Sequence, residues 1–236
     1  MTGDEKSLTQ RVRDGLATDP GEHILTILKA GLATTPFCGG IASLMSDYIP
    51  SSKMARLEAF AEQLAADLNA VQERVDQAVI LSDEFAFLFE KCFRGVAENY
   101  QKEKLTAFRA VLLNSAIGTN HSSDEEEYFL NLVSALSVLH LRMLWFMTEP
   151  ESYLKQYGIP ADQIAGGFQQ FLPRAIPGVA LETIKSAFGD LYRYDLISTD
   201  KSIFTTMTVG QGLALLRGRV SDHGKAFVAF CRSPLD

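Results

Sequence analysis

The chain of 236 residues is short of cysteine, histidine and positive charge, and each shortage narrows its chemistry. Three cysteines, Cys38, Cys92 and Cys231, stand far apart in apolar patterns. An odd, scattered set excludes a disulfide framework and a zinc-ligand spacing, and fits free buried thiols in a reducing cytoplasm. Four histidines are dispersed, with no His-Glu-x-x-His pair. There is no glycine-rich loop followed by Lys-Ser/Thr and no serine at a strand-to-helix elbow. Motifs for phosphate cradling, metal-dependent hydrolysis and acyl transfer are therefore missing, and a non-enzymatic protein without metal or cofactor is the expectation.

Basic residues are scarce relative to acids: 22 Lys and Arg against 29 Asp and Glu, a net charge of −7. Residues 1–159 hold 14 against 22 and residues 160–236 hold 8 against 7, or −8 and +1. Neither part has the basic excess of a protein that neutralises many phosphates. No apolar run reaches membrane-spanning length. The uncharged stretch between Lys29 and Asp47 holds 17 residues and contains Pro36, whereas a spanning helix needs about 20. The charged start, MTGDEKSLTQRVRDG, has no apolar signal core, and a cytoplasmic location is expected.

What is present is helical periodicity. Leu8, Val12 and Leu16 predict a short first helix. The apolar tract 24–49 follows, with Gly31, Gly39 and Gly40, and Pro36 divides it into two helices or one sharply kinked helix. A long helix is expected near 52–80, because Leu57, Phe60, Leu64, Leu68, Val71, Val75 and Ala78 step by three and four. Ser82-Asp83-Glu84 predicts a capped start for a helix whose apolar face is Phe85, Leu88, Phe89, Cys92, Phe93, Val96 and Tyr100. Leu105, Phe108 and Leu112 continue in another helix. Gly118–Ser122 reads as a loop, Ser123–Glu126 as a capping box and Ser137 as a further cap. His140 on its apolar helix reads as a satisfied core histidine, and Glu125–Glu127 as a solvated first turn.

The last sixty residues read as a helix at Val179–Ile197, a strand pair near Ser202–Thr208 and Leu213–Val220, and a closing helix at Asp222–Cys231 capped by Ser221-Asp222. The expected fold is mainly α: a helical bundle over 1–117, then a helical, winged-helix-like unit over 123–236 carrying a small β-hairpin.

Several stretches together resemble a known group. They are the glycine-rich tract ending in Asp47-Tyr48-Ile49-Pro50 before a long charged helix, Leu136-Ser137, Leu191–Ile197, and Ser221-Asp222-His223-Gly224-Lys225-Ala226-Phe227. The layout is similar to the abortive-infection alpha family of bacterial helical proteins with a winged-helix-like tail. The resemblance implies a role in bacterial phage defence or regulation and brings no catalytic residues.

Three functional readings follow. The leading one is an interaction or scaffold protein that binds itself or another protein through the seam Leu57, Phe60, Leu64, Leu68 and Val71. The second is a DNA-binding regulator whose winged end touches phosphates with Lys201, Arg217 and Arg219; the acids Glu182, Asp190 and Asp195 on the would-be recognition helix oppose it. The third is a membrane-active effector in which residues 24–49 insert when triggered.

Overall fold

The computed structural model describes residues 51–206 and 211–235, and these are mainly helical. The expected first helix at Leu8, Val12 and Leu16, the apolar tract 24–49 with its expected break at Pro36, and Cys38 lie outside the described residues. Two compact units partition the chain, one ending at Val133 and also taking in Arg232–Asp236, the other Ser134–Cys231.

The first unit contains α1 (Ser51–Ala70), α2 (Gln77–Ile80), α3 (Asp83–Glu98), α4 (Lys102–Ile117) and α5 (Ser123–Ala135), whose last turn crosses the boundary. Its centre is α3 against α4, with α1 laid on both. Leu64, Leu68, Leu88, Cys92, Val96, Phe108, Val111 and Leu112 are buried there, and Phe60 meets Phe93 edge-on at 5.2 Å. Gly95 lets α3 and α4 touch: a Cβ at this position would lie 2.3 Å from the Phe108 ring. Arg56 closes the far end of α3, donating from Nε to the Val96 carbonyl and from Nη2 to the Ala97 carbonyl, both at 3.0 Å.

The expected helix over 52–80 is corrected to a helix, a turn and a short helix. α1 stops at Ala70, and a 3₁₀ turn at Gln72–Arg74 precedes α2. The Asp76 amide leaves the helical ladder for the Ala116 carbonyl at 2.9 Å, while Asp76 Oδ1 accepts from the Ala78 amide at 2.8 Å. Tertiary and side-chain bonds thus replace the i→i−4 pattern. Val71 is buried, Val75 half-buried and Ala78 exposed, so the three–four spacing outlasts the helix that it appears to mark. Tyr100, expected on the apolar face of α3, lies beyond its end and is 76% exposed.

Ser82 caps α3 as expected, accepting from the Phe85 amide at 3.1 Å. At α5 the capping box sits one residue earlier than the sequence reading. Ser122 Oγ accepts from the Glu125 amide at 3.3 Å and Glu125 accepts from the Ser122 amide at 2.8 Å. Glu126 is instead held by Ser115 Oγ at 2.8 Å and Thr119 Oγ1 at 2.6 Å.

The second unit contains α6 (Val138–Thr148), α7 (Pro150–Tyr157), α8 (Phe168–Ala175), α9 (Leu181–Arg193) and α10 (Asp222–Phe230). α6 is its hub and packs on α7, α9 and α10. Phe168, Phe188 and Phe204 form a mutual edge-contact cluster with centroids 5.2–6.0 Å apart. Gly224 seats α10 against the chain: a Cβ there would stand 2.0 Å from the Leu196 carbonyl oxygen. Ser221 caps this helix, accepting from the Gly224 amide at 2.8 Å. α9 is shorter than Val179–Ile197, ending where Asp195 takes a left-handed φ of 56°.

The β-hairpin expected at Ser202–Thr208 and Leu213–Val220 is not formed: among the described residues there is no strand. The two segments contain 3₁₀ turns at Lys201–Phe204 and Gly212–Leu216, and the one sheet-like pairing among the described residues is a single antiparallel bridge between Ile197 and Val220. Short-range bonds outcompete a ladder. Asp200 Oδ1 accepts from the Ser202 amide at 2.7 Å, and the hydroxyls of Thr205 and Thr206 both donate to the Ser202 carbonyl. Gly212 has φ 56° and donates its amide to the Gly166 carbonyl at 2.9 Å. Residues 207–210 lie outside the described residues, and among those described no wing supports the winged-helix reading.

Candidate functional site

The seam singled out in the sequence is used within the first unit. Phe60, Leu64, Leu68 and Val71 are buried and Leu57 is half-buried. These side chains supply core, and the surface of this unit lies elsewhere.

That surface carries an aromatic face on α3 and α5 that sequence reasoning missed. Phe87 and Tyr128 are each 43% exposed. Lys91 links the two helices beside Phe87: its Nζ sits 4.6 Å from the Phe87 ring centroid, donates to Glu127 at 2.7 Å and reaches Asn131 at 3.1 Å, and Tyr128 follows Glu127 directly in the chain. Phe87, Glu90, Lys91 and Arg94 share one stripe of α3, since they stand at i, i+3, i+4 and i+7. Arg94 pairs with Glu90 at 2.7 Å. The patch thus holds two cations and two carboxylates beside two aromatic rings. A signal for it existed in the sequence, because Phe87 falls off the buried stripe Phe85, Leu88, Cys92, Val96.

In the second unit, Ser137, His140 and Asp190 form a connected line. Ser137 Oγ is 2.7 Å from His140 Nδ1, and His140 Nε2 is 3.3 Å from Asp190 Oδ2. These are the residue types of a nucleophilic site, but the geometry closes a helix turn. The Ser137 amide donates to the same Nδ1 at 3.1 Å, and Ser137 Oγ accepts from the His140 amide. That is a capping box with histidine in the role usually taken by Glu or Gln. The Nδ1 lone pair is already engaged, so the ring hydrogen resides on Nε2 and points to Asp190. Burial pushes the Asp190 carboxyl up, while hydrogen bonds from Arg193 and His140 and the positive charge of Arg193 outweigh it and hold it below the ordinary carboxylate range. His140 is, as the sequence suggests, largely buried and satisfied on both nitrogens.

The three cations considered for nucleic acid take different places. Lys201 is exposed on its 3₁₀ turn. Arg219 is turned inward, donating from Nε to the Leu215 carbonyl at 3.3 Å and from Nη1 to Thr199 Oγ1 at 3.0 Å. Arg217 is exposed and borders an open cleft of about 350 Å³. On α9, Lys185 pairs with Glu182 and Arg193 with Asp190, so the helix first considered for recognition has its cations engaged.

Cys92 and Cys231 form no disulfide, and burial pushes the Cys231 thiol up. Among the described residues no group of three His, Cys, Asp or Glu is placed to hold a metal ion, and no single helix is long and apolar enough to cross a membrane. No protein-family model, no curated protein and no solved structure matches the chain.

Proposed function

We propose that this is a non-enzymatic interaction protein that self-associates through the face of α3 and α5 around Phe87 and Tyr128. The observation that carries the reading is the exposure of these two rings, with Lys91, fixed by Glu127 and Asn131, stacked on the Phe87 ring. Aromatic side chains are favoured anchors at contacts, and a charge ordered before binding loses less rotamer freedom on binding. A second copy is the fitting partner because the patch is balanced in charge. A two-fold axis brings Lys91 and Arg94 of one copy to Glu90 and Glu127 of the other. Two aromatic anchors per copy are a small contact, so association is expected at about micromolar rather than nanomolar concentration.

Sedimentation velocity over a hundredfold concentration range tests this. The wild type is expected to shift toward a dimer, and Phe87→Ala with Tyr128→Ala is expected to stay monomeric with an unchanged circular-dichroism spectrum. A wild type that is monomeric throughout would overturn the reading. The likeness to abortive-infection alpha proteins makes bacterial defence or regulation the process proposed for this assembly. DNA binding is not favoured, since Arg219 and the cations of α9 have intramolecular partners.

A further inference from the structure

The cleft in the second unit is a separate feature. Its walls are the end of α6 and start of α7, the turn Gly212–Leu216 with the loop after it, and Lys225 of α10. Met147, Leu216 and Val220 give it an apolar floor, each nearly fully buried. At about 350 Å³ it lies in the lower range of small-molecule sites.

Arg217 marks its polar end. Among the described residues its guanidinium has no hydrogen bond or ion pair, a state it shares with Arg74 on the first unit's 3₁₀ turn, whereas Arg56, Arg94, Arg109, Arg142, Arg174, Arg193 and Arg219 all have one. The segment bearing Arg217 is held on both sides. Before it, Gly212 lies so close to the Ile164 carbonyl oxygen that a Cβ would stand 2.1 Å away. After it, Arg219 ties the loop to Leu215 and Thr199. A free guanidinium on a fixed segment, at the edge of an apolar floor, is organised in advance for a planar anion.

We infer that this cleft binds a small apolar monocarboxylate, its hydrocarbon on Met147, Leu216 and Val220 and its carboxylate on Arg217. Lys225 adds positive charge while remaining paired with Asp222 at 2.7 Å. Glu151 also borders the cleft, and its negative charge disfavours a second carboxylate on the ligand. This site is independent of the self-association face.

Calorimetric titration of the full chain with decanoate, decanol and decylamine, each below its aggregation threshold, tests the assignment. Decanoate is expected to bind at least tenfold more tightly than decanol. Arg217→Ala is expected to weaken decanoate about tenfold without altering the melting temperature. Ala214→Trp, at an exposed position of the cleft wall, is expected to abolish binding by filling the space. Equal binding of decanol, tighter binding of decylamine, no detectable decanoate binding, or unchanged affinity in both folded variants would each overturn the inference.

Discussion

His140 Nε2 lies 3.3 Å from Asp190 Oδ2, so one imidazole closes the first turn of α6 and holds the last turn of α9. Asp190→Asn removes the charge and keeps the shape. The variant is expected to lose about 0.5–1 kcal/mol at pH 7, the range for a partly exposed pair. The Asp190 pKa is lowered in the folded state, so its contribution is fully present above the unfolded carboxyl pKa of about 3.9 and fades as pH falls through the folded value. Urea titrations at pH 7 and pH 3 should show the difference between wild type and variant shrinking at the lower pH. A constant difference would remove Asp190 from the acid response.

Lys104 has the opposite sign. It is buried, donates to the Val133 carbonyl at 2.6 Å, and burial holds its ammonium below the usual lysine range. The unfolded chain therefore holds this proton more tightly. The group's contribution to stability rises as pH climbs from the folded pKa toward about 10.4. Lys104→Met is expected to lack that alkaline rise. Chemical denaturation from pH 8 to pH 10.5 measures it, and parallel curves for the two proteins would refute the assignment.

Two glycines in the second unit have backbone oxygen where a side chain would begin. Gly212→Ala and Gly224→Ala place a Cβ 2.1 and 2.0 Å from the carbonyl oxygens of Ile164 and Leu196. Each is expected to cost at least about 2 kcal/mol, since backbone must move. Gly158→Ala, left-handed at φ 63° but with open space around it, is expected to cost about 1 kcal/mol. Both Gly212→Ala and Gly224→Ala should melt below Gly158→Ala, and Gly158→Ala below the wild type.

The seam and the aromatic face separate cleanly by substitution. Leu64→Ala and Leu68→Ala, at 1% and 0% exposure, are expected to lose about 2–5 kcal/mol of stability. Phe87→Ala is expected to change stability by no more than about 0.5 kcal/mol while weakening self-association. Denaturant melts paired with sedimentation read both quantities on the same samples.

The helix starts at Ser82, Ser137 and Ser221 were legible because capping is a short-range bond between a hydroxyl and an amide a few residues on. The break after Ala70 was not, because Val71 keeps its buried place through a 3₁₀ turn and a three–four spacing records burial rather than backbone continuity. The strand-like content of Ile203, Thr205 and Thr206 misled for a related reason. Threonine hydroxyls that return to the Ser202 carbonyl favour a tight turn over an extended partner. Of the candidate sites, Phe87 could be found by its position off the α3 stripe. The cleft could not, since it arises only when residues near Met147 and residues near Arg217 are folded together.

The contact of Gly95 with Phe108 has a consequence across lineages. With the ring 2.3 Å from where a Cβ would stand, position 95 cannot gain a side chain while the ring keeps its place. A descendant that gains a methyl at 95 keeps the α3–α4 crossing only if it also surrenders the aromatic ring at 108. Paired change at these two sites would therefore trace ancestry of this crossing in sequences too diverged to align by eye.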